Sequence, residues 1–202
     1  MGADIHAYID YDETSGTEVH TSNLAQVHID RDYWLFTLMA GVRGTTVQGQ
    51  MPVSQPKGLP SNLSWRVRRD AYLMVLDDEP SLGVVGCCSR EEAEKWGNYV
   101  DQSKRYVHHP DWHSHTWLTF EEVGEVIRRY STLKEKRQVW LQEHEAVPEG
   151  YTLLEEEWCG MRVAQNEGVQ AQIPMELHAI YAMMSAVESA GHKCRLVAWF
   201  DN

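Results

Sequence analysis

The chain is short of cysteine and phenylalanine, with 4 and 3 residues respectively. Its cysteines are Cys87, Cys88, Cys159 and Cys194, and no two have CxxC spacing, so the zinc-ribbon and thioredoxin signatures are missing. Adjacent Cys87 and Cys88 are poorly placed to bond each other, because the ring they would close is strained. The four read as reduced thiols of a cytoplasmic protein. Basic side chains are also scarce: 18 Lys and Arg face 30 Asp and Glu, for a formal net charge of −12. Such a surface repels phosphate backbones and anionic bilayers, which argues against general nucleic-acid binding and membrane association. No run reaches the roughly 18 apolar residues of a membrane span. The opening "MGADIHAYID" has neither a basic nor an apolar leader segment, and His6 stands where N-myristoylation requires Ser or Thr. Dinucleotide, P-loop, hydrolase-elbow and zincin motifs are absent, so those chemistries lack their usual signatures.

What is present is an ordinary globular composition, 43% hydrophobic and 24% charged over 202 residues. One domain spanning 1–202 is the expectation from size, without need of disulfides or metal to fold. "ADIHAYIDYD" alternates apolar Ala3, Ile5, Ala7 and Ile9 with polar partners, which predicts a strand. Polar "ETSGTEVHTSN" reads as a loop. "RDYWLFTLMAGV" carries Leu35, Leu38, Met39 and Val42 on one helical face, with Gly41 as its stop. "PVSQPKGLPSNLS" is a proline-rich loop, and "AYLMVL" and "LGVVGCC" are short strands. Ser89 with Glu92 and Thr119 with Glu122 are capping boxes that open two helices. "LKEKRQVWLQEH" reads as a further helix. "PMELHAIYAMMSAVESAG" predicts another, with Pro174 at its first position and Gly191 past its end. "CRLVAWF" closes the chain as a strand. The fold class is α+β, with a small mixed or antiparallel sheet that includes both terminal strands and packs against several helices.

Histidine and aspartate cluster in a few stretches. On a strand, Asp4 and His6 share a face about 7 Å apart, so an oxygen and an imidazole nitrogen can converge on one cation. Zn, Mn or Fe accept such a mixed set. "DWHSHTWLTF" supplies His113 and His115, which on an extended backbone could share a metal or act as acid and base across a scissile bond. His108 and His109 lie just upstream and point opposite ways, so at most one is expected to join. Asp201 would sit beside Asp4 and His6 if the first and last strands pair. Arg43 and Lys57 are candidate contacts for an anionic group, and Tyr33 and Trp117 are candidate pocket walls.

These same blocks resemble a family of uncharacterised proteins of bacteriophages and bacteria. Its members typically open Met-Gly-Cys-Asp-Ile-His, where this chain has "MGADIH" with Ala3 in place of cysteine. "RDYWLFTLMAGVRG", "PVSQPKGLP" (with Lys57 where arginine is usual), "HSHTWLT" and the closing "RLVAWFDN" are similar to further family blocks in the same order. The resemblance implies that the blocks belong together, and a bacterial-host cytoplasm if the chain is phage-encoded. It implies no activity.

The composite expectation is a metal-dependent hydrolase of a small phosphorylated or nucleotide-like molecule. Asp4, His6, His113, His115 and Asp201 supply ligands to a divalent metal that lowers the pKa of bound water. His113 and His115 are the candidate catalytic pair, and Arg43, Lys57, Tyr33 and Trp117 hold an anionic substrate. Two other classes stand beside it: a binding module that captures a nucleotide signal without chemistry, and a structural or partner-binding protein. Oligomeric state is left open.

Overall fold

The computed structural model describes residues 3–42, 51–77, 86–100, 102–135, 138–158, 160–166 and 168–201. The chain divides into two compact units, Met1–Val126 with Pro174–Asn202, and Ile127–Ile173. The architecture is α+β.

The first unit is built on the pairing of the two ends of the chain. Strand β1 (Asp4–Ser15) runs antiparallel to the last strand, β12 (Lys193–Asp201), from Asp4↔Asp201 to Asp12↔Lys193. With β2 (Glu18–Val27) and β6 (His113–Thr119) they form an antiparallel sheet of order β2-β1-β12-β6. Period two sends alternate residues of β12 to opposite faces. Phe200 and Cys194 meet helices on one face: Phe36 packs edge-on to Phe200 at 5.1 Å, and the Cys194 thiol lies 3.5 Å from the Met184 carbonyl. Trp199 and Val197 meet the other layer, in a buried cluster with Tyr8, Leu63, Val67 and Ala71. Covered on both faces, the middle of β1 is buried from Ala7 to Asp10.

Four of the predicted helices form, and the helix over 65–71 is one the sequence reading does not contain. Helix α1 (Tyr33–Ala40) starts at Asp32, whose carboxylate accepts from the Trp34 and Leu35 amides, and ends at Gly41 with φ 70°. Helix α2 (Trp65–Ala71) follows the proline-rich loop and is capped by the Ser64 hydroxyl. Helix α3 (Arg90–Trp96) has the Ser89–Glu92 capping box and packs on the small sheet of β3 (Leu73–Leu76), β4 (Cys87–Ser89) and β5 (Tyr106–Val107). Helix α4 (Phe120–Tyr130) opens on the Thr119–Glu122 box. Helix α5 (Met175–Ser189) packs on β12, with Pro174 as its N-cap rather than its first helical residue.

Two segments depart from the sequence reading. Glu13–Asn23 is no loop but the far half of a hairpin, Ser15↔Glu18 closing a two-residue turn with Gly16 at φ 64°. Its strands are polar because cross-strand pairs such as Thr21 Oγ1 to Asp12 Oδ1 (2.7 Å) hold them. "LKEKRQVWLQEH" falls in the second unit and forms strands, not a helix. There β7 (Lys134–Glu135) pairs with β11 (Val169–Gln170). A three-stranded sheet joins β8 (Gln138–Leu141), β10 (Met161–Asn166) and β9 (Tyr151–Trp158). Val139 and Leu141 alternate with exposed Gln138 and Trp140, a period-two signal that good helix formers mask. Of the predicted strand 82–88, residues 82–85 lie outside the described residues, and Cys87 and Cys88 fall in β4. Among the described residues no helix is long and apolar enough to cross a membrane.

Candidate functional site

The β1–β12 register does what the spacing of Asp4 and His6 required of the distant Asp201. His6 Nε2 lies 3.0 Å from Asp201 Oδ2, and the Asp4 amide donates to Asp201 Oδ1 at 3.3 Å. The two side chains are 34% and 31% exposed, so solvent reaches both. The His6 ring stacks on Trp199 at 5.3 Å with an interplanar angle of 9°, which fixes its plane. The Asp4 carboxylate itself is committed elsewhere. Arg31 Nη2 donates to it at 2.8 Å, and this pairing holds the Asp4 carboxyl below its usual range.

His113 and His115 do not share a face. Between the pairs Ala198↔Thr116 and Phe200↔His113 the register slips, so Ser114 and His115 together oppose Trp199. This is a β-bulge, and Ser114 adopts φ 51°, in the left-handed region. The extra residue flips the alternation. His115 stacks toward Trp199 at 6.4 Å, while His113 stacks toward Phe200 at 6.2 Å on the opposite side of the sheet. The extended backbone that would let the two imidazoles converge is therefore absent. Among the described residues, no group of three or more His, Cys, Asp or Glu side chains is arranged to hold a metal ion.

Around Trp199 a set of rings replaces the expected ligand cluster. Trp112 lies 6.0 Å from both Trp199 and His6. His108 packs 4.7 Å from His115 and 5.0 Å from Tyr72. His109 sits between Trp96 and Trp112, so both neighbouring histidines join, on different partners. Burial pushes the His115 imidazole down to about 4, with His108 and His113 nearby adding to the effect, and burial lowers His108 as well. Both are neutral at pH 7. Among the described residues, His108 Nδ1, His115 Nε2 and Trp199 Nε1 are buried without a hydrogen-bond partner, as is His113 Nε2. Each such group costs about 1–3 kcal/mol when nothing satisfies it.

The remaining predicted residues are placed as follows. Lys57 lies on the loop that crosses β6, where the Gly58 amide donates to the His115 carbonyl at 2.9 Å. Its ammonium sits 2.6 Å from Glu122 Oε2 and 4.1 Å above the Trp117 ring, so its charge is already neutralised. Burial raises the Glu122 carboxyl, but the bonds from Lys57 and the Thr119 amide outweigh it and hold it low. Trp117 packs half-buried against the Tyr8–Trp199 cluster. Tyr33 opens α1 and meets Phe36 edge-on at 5.9 Å. Arg43 lies outside the described residues.

Two acidic residues that the sequence reading passed over organise the same face. Asp10 is fully buried, and its carboxylate accepts from the Ser64 amide (3.0 Å), the Ser64 hydroxyl (2.8 Å) and Asn23 Nδ2 (3.1 Å). It thereby fixes the start of α2 on β1. Asp70, near the end of α2, accepts from Tyr8 Oη at 3.0 Å and Arg69 Nε at 2.7 Å. Burial raises the Asp70 carboxyl, but these hydrogen bonds prevail and hold it below its usual range. The available signal was parity: Asp4, His6, Tyr8 and Asp10 fall on one face of β1, and only a covered face makes Asp10 informative. An open cleft of about 400 Å³ lies along the edge of β1 and β2, lined by Ile5, His6, Ala7, Gln26, Val27 and His28.

No protein-family model, no curated protein and no solved structure matches this chain.

Proposed function

We propose that the protein is a hydrolase of a small phosphorylated or nucleotide-like molecule, with His6 and Asp201 as its reacting pair. The observation that supports this reading is the 3.0 Å contact between His6 Nε2 and Asp201 Oδ2 at a solvent-accessible cleft. A carboxylate bound to one imidazole nitrogen sets the tautomer and stabilises the imidazolium formed when the ring takes a proton from water. His115 takes no part in proton transfer in this reading, because burial makes it a weak base and rings wall it in. The same two atoms are the ones that would hold a divalent ion such as Zn, Mn or Fe. Donors 3.0 Å apart suit neighbouring ligands on one ion as well as a hydrogen bond, since metal–ligand distances are about 2.1 Å. Bound there, such an ion would supply a water acidic enough to ionise near neutral pH.

The test is a product screen. Untagged protein is incubated with phosphomonoesters and nucleotides, products are identified by mass spectrometry, and metal content is measured on the same sample. Products that vanish in His6→Ala and Asp201→Asn support the reading, and metal content decides how water is activated. A full panel recovered intact rejects it. That outcome fits the second reading, a binding module, which the unpartnered ring nitrogens of His108, His115 and Trp199 favour: ligand would be captured stoichiometrically and returned unchanged.

A further inference from the structure

Helix α2 is out of keeping with the rest of an acidic chain. Val67 and Ala71 are buried in the cluster with Tyr8 and Trp199, but Trp65, Arg66, Arg68 and Arg69 face solvent. The Trp65 indole is 73% exposed, beside these guanidinium groups. Three arginines fall within four positions of a chain whose net charge is −12. Asp70 is their one acidic neighbour on the helix, and it is shared: Arg66 and Arg69 both donate to it, as does Tyr8. The Arg68 side chain makes no hydrogen bond or ion pair among the described residues. Arg69 also lies 5.3 Å from the Trp65 ring centre, and Arg68 and Arg69 share the helix face of Trp65 by i+3 and i+4 spacing.

This face adjoins the His6 cleft. Arg66 Nη2 donates to Gln26 Oε1 at 3.0 Å, and Gln26 lines the cleft. Gln26 is the register partner of Tyr8, which bonds to Asp70. Tyr8 follows His6 on the same side of β1, and both rings stack on Trp199 at 5.3 Å.

We propose that Trp65 and the arginines of α2 form the recognition surface for the substrate, and that the substrate is a nucleotide. This rests on the reading of His6 and Asp201 as the reacting pair. The base stacks on Trp65, a flat surface that accepts any base. Arg68, on the helix face of Trp65, meets the phosphate, with guanidinium donors suited to its oxygens. The role expected of Lys57 thus passes to α2, since Lys57 is bound to Glu122.

The test uses the full chain and two probes, AMP and ribose 5-phosphate, with binding followed by titration calorimetry. AMP is expected to bind about tenfold or more tightly than ribose 5-phosphate. Trp65→Ala, at an exposed site, removes that preference, and Arg68→Glu weakens both probes about tenfold. Asp201→Asn leaves AMP affinity within about twofold. Circular dichroism and melting confirm that each variant is folded. Equal affinity for the two probes, unchanged AMP binding in Trp65→Ala, or capture of a single-stranded oligonucleotide without AMP binding overturns the assignment. AMP bound through Trp65 but never hydrolysed leaves the surface standing and rejects only the hydrolase reading.

Discussion

His6 Nε2 and Asp201 Oδ2 stand 3.0 Å apart although 195 positions separate them. The contact exists because β1 and β12 pair from Asp4↔Asp201 to Asp12↔Lys193. Asp201→Asn keeps the shape and loses the charge that stabilises imidazolium. Hydrolytic turnover is expected to fall by about 10²–10⁴-fold. Stability is expected to change by less than about 1 kcal/mol, since the pair is part-exposed. Steady-state kinetics and a urea melt on the same sample check both halves. A large stability loss with unchanged turnover would make the pair structural.

Stability should depend on pH through His115. In the unfolded chain its imidazole titrates near 6.5, whereas in the folded protein burial lowers this to about 4. Between these values the unfolded state binds a proton that the folded state refuses. The contribution is therefore complete above 6.5 and lost as pH falls toward 4, about 2 kcal/mol in all after allowance for partial exposure. His108 shifts the same way and adds to the slope. Carboxylates held low, such as Asp4, Asp70 and Glu122, lose their contribution only at lower pH, so the window from 6.5 to 5 reports the histidines. Urea midpoints across that window should fall in the wild type and fall less in His115→Phe. Equal slopes would remove His115 as the cause.

Asp10→Ala should be the most damaging single change on this face. It strips the acceptor from the Ser64 amide, the Ser64 hydroxyl and the Asn23 amide at once, all around a fully buried carboxylate. The expected cost is about 3 kcal/mol, from unpaired buried donors. Denaturant unfolding measures it, and a loss under about 1 kcal/mol would mean that water replaces the carboxylate.

Lys57→Met should act on stability and not on binding. The ammonium lies against Glu122 and over Trp117, and losing both contacts costs about 1 kcal/mol. AMP affinity should stay within about twofold of wild type. A tenfold loss of affinity would return Lys57 to the substrate site.

Local rules carried the helices. Asp32, Ser89 and Thr119 cap where their side chains predict, and Gly41 stops α1 in the left-handed conformation that its missing Cβ permits. The alternation of Ala3 to Ile9 and the apolar run before Asp201 marked two strands correctly. Local rules failed where a neighbour decided the outcome. Leu133–His144 is built of good helix formers, yet pairing with β10 and β11 makes strands of it. Helix α2 was passed over because three arginines beside an indole carry no apolar stripe, and only the docking of Val67 and Ala71 against Tyr8 and Trp199 defines it.

For the site the division is sharper. By itself the sequence placed Asp4 and His6 on one face of a strand and put histidine, aspartate and tryptophan in the same few blocks. Period two is a property of any strand and needs no tertiary information. Tertiary structure alone decided three things. Register brought Asp201 to His6. A single bulge at Ser114 sent His113 and His115 to opposite faces, because one inserted residue reverses every side chain beyond it. Packing chose partners for charges, giving Arg31 to Asp4, Lys57 to Glu122 and Arg69 to Asp70, while leaving the Arg68 side chain to solvent. A sequence displays which groups are available, but their distances depend on segments that meet only after folding.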